Sequence, residues 1–389
     1  MTLTDLNRKE SFPPKKVITK DNWLESEENL RAYTQRSEFG PTRTIWRGDK
    51  QATSLCYEDY PLDLSTIKTE QGTSISDYLE QTKTDAFMIM KKGKVLYEDY
   101  FNGYQHYEPH ALNSATKSFV GLLVEIIAFD GLLDLNQKAS YYLPELEGAG
   151  LGNGTIQQLL NMQVPITFTP VETPYGFGRG TPILIATGSM TKPKGYKGPE
   201  NIYEFIMDSQ SAGTPGTEFK YENAQTETLA WIIKRITGKN LAQLLQEFIW
   251  QKLGAEENAF IHIDPIGTEI ASGGMRATLR DLTRFGEMML RQGYYNHQQI
   301  IPEALFRNSL EGSNRQMLAR SVDAYLKTYS YCHHWWIVNN SYHAYAARGK
   351  FNQEIYIAPQ AEVVIVKLST NVNNTFGEPY YDTIIRHLL

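Results

Sequence analysis

The sequence predicts a mixed α/β fold of the α+β kind, in which one antiparallel sheet is built from both chain ends and a helical lobe is inserted between them. Three observations lead there. A hairpin pattern stands near residue 90, strand-like runs rich in Trp, Tyr, Val and Ile follow residue 330, and helical periodicity fills the middle.

Residues 1 to about 75 mix charge and proline, with little periodicity beyond a short helix at Asn22 to Thr34, and read as an N-terminal arm packed on the body. Residues 76–389 read as the main domain, with the sheet from about 80–110 and 330–389 and the lobe from about 120–300. Ala86 to Glu98 holds two apolar runs around a Lys91-Lys92-Gly93-Lys94 turn. Ser114 to Phe129 sets Phe119, Leu122, Leu123, Ile126 and Ile127 at helical spacing and closes near Gly131. A short helix is expected at Ile156 to Met162, then a long Pro- and Gly-rich loop over 163–200, of the kind that carries function or moves. Helices return at Ile202 to Asp208, Gln225 to Thr237, Leu241 to Leu253 and Leu279 to Gln292. Strands are expected at His333 to Val338, Glu354 to Ile357 and Val363 to Leu368, before a last helix at Tyr380 to Leu389.

Composition narrows the function classes. The chain has 389 residues, 41% of them hydrophobic, and a net charge of −6. No basic stripe exists to neutralise phosphates, which speaks against nucleic-acid and anionic-membrane partners. The longest apolar stretch, Phe119 to Leu133, is broken by Glu125 and Asp130 and is too short to span a bilayer. Met1 to Lys20 holds no apolar run of the secretory kind, and two cysteines are too few for a disulfide framework. A cytoplasmic location is the expectation. Eight scattered histidines offer no metal spacing, and Pro109 separates His106 from His110.

Asn113-Ser114-Ala-Thr-Lys117 lies where a loop becomes an apolar helix. A nucleophilic serine needs a base, and Lys117 at i+3 shares its helical face. Burial can lower the lysine pKa until it accepts a proton, and the helix dipole favours negative charge at Ser114. Ser65-Thr-Ile-Lys68 and Ser189-Met-Thr-Lys192 share the spacing but lead no apolar helix. The plainer alternative makes Ser114 a helix cap and Lys117 a solvated lysine.

Pro215 to Asn223 reads as a turn, a short extended segment and a helix start. Within it Tyr221 suits proton transfer to a leaving group and Asn223 suits holding Lys117 or substrate; the alternative for Tyr221 is a packed aromatic. Tyr100 and Tyr294 share the Tyr-x-Asn spacing at a strand end and a loop exit. Ala346 to Gln353 carries Gly349 ahead of a strand, where glycine lets the backbone come close to a bound substrate and offer a second N–H opposite that of Ser114, or forms a plain β-turn.

These stretches, Ser114-Ala-Thr-Lys117, Tyr221-Glu-Asn223 and Arg348-Gly349, resemble the penicillin-recognising serine hydrolases, the superfamily of class C β-lactamases, D-alanyl-D-alanine carboxypeptidases, esterases and 6-aminohexanoate-dimer hydrolases. Leu159-Leu-Asn-Met162 and Ala271-Ser-Gly-Gly274 support the match, which spans roughly residues 80–389. The resemblance implies a β-lactamase-like antiparallel sheet flanked by helices, with the site in the cleft beside the lobe. It implies Ser114 as nucleophile, Lys117 as base, Tyr221 as proton shuttle, and an oxyanion hole from the N–H groups of Ser114 and Lys350. Ala347 stands where β-lactamases carry a carboxylate-binding lysine, which points to the esterase and amidase branch, with Arg348 or Lys350 as substitutes.

The expected reaction is acyl transfer from a small ester or linear amide to water, with no cofactor and with a homodimer admissible. Tyr175, Phe177 and Trp335 or Trp336 are candidates for the acyl pocket, against ordinary core packing. The alternatives are β-lactamase or D-alanyl-D-alanine peptidase activity and, from another class, a catalytically weak binding or scaffold protein.

Overall fold

The computed structural model describes residues 19–20, 40–60, 62–171, 181–308, 318, 328–371, 373 and 377–389. The expected helix at Asn22 to Thr34 lies outside them. The central element is an eight-stranded sheet. Its strands are β1 (Cys56–Tyr57), β2 (Thr84–Lys91), β3 (Lys94–Tyr100), β4 (Ser330–Cys332), β5 (Trp335–Ile337), β6 (Tyr345–Gly349), β7 (Gln353–Ala358) and β8 (Val363–Ser369). Their spatial order is β4-β5-β6-β7-β8-β2-β3-β1. Neighbours run antiparallel except β1 and β3, which run parallel.

The sheet draws on both ends of the chain because each central strand is apolar on both faces. Ala86, Met88 and Met90 of β2 enter one core with Val364 and Val366 of β8. Phe87 and Ile89 enter the other with Val363 and Ile365. A strand apolar on both faces must be covered twice. Helices α1 (Ile75–Gln81) and α5 (Glu378–Leu388) cover one side with Tyr78 and Tyr381. On the other side lie α2 (Thr116–Phe129) and α4 (Leu279–Leu290), where Phe119 stacks on Phe285 at 4.0 Å. Helix α3 (Asn223–Thr237) packs on α2 from beyond the sheet.

Several elements differ from the sequence reading. The middle of the chain also supplies strands: Ala259–His262 and Met275–Ala277 form a second sheet with Thr42–Ile45 and His110–Ala111. Leu241 to Leu253 is helical throughout, as expected, but a π turn at Gln246–Trp250 interrupts its α geometry. The run from His333 to Val338 is not one strand. His333 and His334 are both left-handed, with φ of 48° and 68°, and close the β4–β5 hairpin. Their turn is pinned from outside: Asn161 Oδ1 accepts from His333 N and the Leu160 carbonyl from His334 N. Gly121 admits this turn against α2, since a Cβ there would meet the His333 carbonyl at 2.4 Å.

Removing the Phe119–Phe285 stack tests this packing. Phe285→Ala is expected to lower stability by about 3–5 kcal/mol in urea unfolding. A loss below about 1 kcal/mol, the scale of a surface substitution, contradicts the packing described.

Candidate active site

The chain reaches α2 through a single turn of 3₁₀-helix, Asn113–Ala115, entered with Asn113 at φ 48°. Leu112 donates its N–H to the Met275 carbonyl, and Thr116 Oγ1 accepts from Met275 N, so the second sheet holds this turn at both ends. Ser114 sits in the turn, half-exposed, and neither this turn nor α2 has a side-chain cap. The capping alternative for Ser114 therefore falls away. Lys117 is buried one turn later.

Three acceptors surround the Lys117 amine. Ser114 Oγ lies 3.0 Å from Nζ, Asn223 Oδ1 2.8 Å and the Ser272 carbonyl 2.7 Å. An ammonium has three N–H donors and all three are used. Burial pushes the lysine down to about 7, outweighing Glu227 and Glu222, which pull it up. Glu227 carries the third acceptor: its carboxylate takes the N–H groups of Ala271 at 3.0 Å and Ser272 at 2.8 Å. The sequence reading missed Glu227, although its place one turn after Asn223 on an apolar helix face was a usable signal.

Tyr221 lies beside the amine, with Lys117 Nζ 5.1 Å from the ring centroid. Its ring stacks on Trp336 at 5.7 Å and meets Tyr331 edge-on at 6.0 Å. Behind them His334 is buried between Thr226 and Tyr331, and burial holds its imidazole well below the usual value. Gly349 abuts the serine turn, where an added Cβ would meet the Leu112 carbonyl at 2.1 Å. Asn113 Nδ2 donates to the Lys350 carbonyl at 2.8 Å and ties the end of β6 to the turn. The close approach that Gly349 makes here is to the serine-bearing backbone.

Two expectations are corrected. Arg348 does not face the site: it is buried, its Nε donates to Glu354 at 3.0 Å, and a second ion pair reaches Glu378. Alternation along β6 turns it to the sheet side opposite Ala347. Trp335 packs into the core against Phe285 and Tyr345, so its neighbour Trp336 faces Tyr221 instead. Tyr175 and Phe177 lie outside the described residues, and the Lys350 side chain is exposed over Phe351. The other Ser-x-x-Lys stretches are taken up elsewhere: Ser65 bonds Asp63, and Lys192 pairs with Glu200. No described cluster of His, Cys, Asp and Glu is arranged to hold a metal ion, and no described helix is long and apolar enough to cross a membrane.

A serine, a buried lysine and a tyrosine meeting beside an antiparallel sheet define the penicillin-recognising class of serine hydrolase. The chain belongs to the beta-lactamase family, whose model matches residues 74–389. It is 30% identical over 358 residues to the 6-aminohexanoate-dimer hydrolase of Paenarthrobacter ureafaciens, covering 90% of this chain and 88% of that one. A solved Bacillus anthracis structure with the provisional name 6-aminohexanoate-dimer hydrolase superposes with a TM-score of 0.88 at 33% identity, over 97% of this chain and 98% of that one. The hydrolase EstCE1 shares the fold at a TM-score of 0.58 and 17% identity, over 80% of this chain and 95% of its own.

Gly349→Ala tests the contact between β6 and the serine turn. The clash is with backbone, so a loss of about 1–3 kcal/mol is expected, together with loss of hydrolytic rate. Native melting and native rate together contradict the contact.

Proposed function

We propose that this chain hydrolyses a small ester or linear amide through an acyl-enzyme on Ser114. The observation that carries this is the set of three acceptors around Lys117. When the lysine is neutral it keeps two N–H donors and one lone pair. Asn223 Oδ1 and the Ser272 carbonyl hold the two donors, which leaves the lone pair for the Ser114 hydroxyl.

Ser114 Oγ attacks the carbonyl carbon while its proton passes to Lys117. The oxyanion takes N–H donors from Ser114 and Lys350, a reading supported by the way Gly349 lets β6 close on the serine turn. Tyr221, beside the lysine, passes a proton to the departing alcohol or amine, and water then releases the acid by the reverse path. Trp336 is the aromatic wall behind Tyr221. The similar Paenarthrobacter protein is named for a dimer joined by a linear amide, which supports the amide arm. With Ala347 buried and Arg348 paired to Glu354, Lys350 is the one residue of this stretch left to meet a substrate carboxylate, so β-lactam hydrolysis is the weaker reading. A cytoplasmic location and a homodimer belong to the same proposal. The location is supported by a cysteine count of two, too few for a disulfide framework, and cell fractionation and light scattering test the two.

A fluorophosphonate probe is expected to label Ser114, with turnover of p-nitrophenyl butyrate or the linear 6-aminohexanoate dimer and little of nitrocefin. Ser114→Ala is expected to lose both labelling and turnover; labelling elsewhere removes the assignment. Lys117→Ala is expected to lower acylation by about 10²-fold or more with the fold intact by circular dichroism. Tyr221→Phe is expected to slow turnover more than labelling.

The pH dependence has a defined sign. The active base is the neutral amine, so the labelling rate rises with pH through about 7. A rate that is flat there, or that falls, contradicts Lys117 as the base.

A further inference from the structure

Among the buried groups set back from Ser114, Glu227 bears most directly on Lys117. It stands one turn beyond Asn223 on α3, so the two side chains leave the same helix face. Its carboxylate is buried and holds the N–H groups of Ala271 and Ser272, and the same Ser272 turns its carbonyl to Lys117 Nζ. One helix thus grips the amine twice: directly through Asn223, and across one peptide unit through Glu227.

We propose that Glu227 is a positioning residue: by clamping the Ala271–Ser272 backbone it aims the Ser272 carbonyl at Lys117 and so turns the amine toward Ser114. This rests on Lys117 acting as the base for Ser114. A neutral amine rotates freely unless both of its donors are held. Asn223 holds one of them and leaves a free axis. The Ser272 carbonyl removes that axis, and a backbone carbonyl is only as fixed as its own segment.

The carboxylate also acts through its charge. The titratable groups that bear on Lys117 are Glu227 on α3, Glu222 just before it, Tyr221 alongside and neutral His334 from the β4–β5 turn. The two carboxylates favour the ammonium while burial opposes it. Burial pushes the Glu227 carboxyl up, opposed by the Ser272 side chain, the Ser272 and Ala271 amides and Lys117. A purely structural role, satisfying two loop amides, would change stability and leave kcat of the folded protein untouched, whatever the charge does to the pH at which the amine loses its proton. The kcat of the folded variant, read beside the pH profile, therefore separates the two roles.

The experiment compares native protein, Glu227→Gln and Glu227→Asp by fluorophosphonate labelling of Ser114 and by ester turnover from about pH 5 to 9. Glu227→Gln removes the charge at nearly constant shape. Its acid limb is expected to move to lower pH, and kcat to fall about 10- to 100-fold with a smaller change in KM. Glu227→Asp keeps the charge on a shorter arm, and is expected to keep the native limb while losing rate. Native kcat in folded Glu227→Gln overturns the proposal. If that variant does not fold, Glu227→Asp decides: native rate overturns, slow turnover with a native limb supports.

If neither variant folds, amide exchange in the native protein decides. The Ala271 and Ser272 N–H groups are expected to exchange only on global unfolding, and exchange as fast as an exposed loop overturns the proposal. Failure of the underlying reading looks different: the native protein is then not labelled at Ser114, or Lys117→Ala keeps its native rate.

Discussion

The Lys117 amine is buried where three oxygens are the acceptors around it. An isolated ammonium buried in protein costs several kcal/mol, so it either loses its proton or is surrounded by acceptors. Here both happen at once: burial draws the group down to about 7, while Ser114, Asn223 and Ser272 take its hydrogens. These acceptors come from the turn ahead of α2, the first residue of α3 and the loop before Met275–Ala277. The architecture that brings three distant segments to one nitrogen is what the site depends on. The two-layer core behind α2, and the close contact of Gly121 with the His333–His334 turn, keep that nitrogen in place.

A second buried lysine shows why burial is not enough. Lys367 on β8 is likewise drawn down to about 7, and it donates to Tyr78 and Thr82 on the opposite face of the sheet. Both partners are buried, Tyr78 within α1 and Thr82 as its C-cap. Neither hydroxyl is open to an incoming substrate, so the same electrostatics there holds structure together. At Lys117 one of the three acceptors, Ser114, is half-exposed. What distinguishes the two is access to solvent.

Much of this was legible in the chain before folding. The hairpin around Lys92-Gly93 announced itself by two apolar runs around a glycine-bearing turn, and Gly93 suits the left-handed backbone that both residues adopt. Helix α2 announced itself by apolar spacing, and its first turn put serine and lysine on one face. The His333–His334 turn was hidden because histidine is not a turn signal there; bonds to Asn161 and Leu160 from another segment impose it. Arg348 and Trp335 were misplaced for one shared reason. In a strand, neighbours point to opposite sides, and a motif says nothing about which side faces the cleft.

Sequence alone determined what depends on near neighbours: the strand and helix periods, the Ser114–Lys117 spacing and the resemblance carried by three short stretches. Only the tertiary structure decided which oxygens receive Lys117, that Trp336 and not Trp335 stands by Tyr221, and that Arg348 is bound to Glu354 and Glu378. The physical reason is range. Propensity and spacing act over a few residues, whereas the burial that neutralises a lysine is produced by segments more than a hundred residues apart.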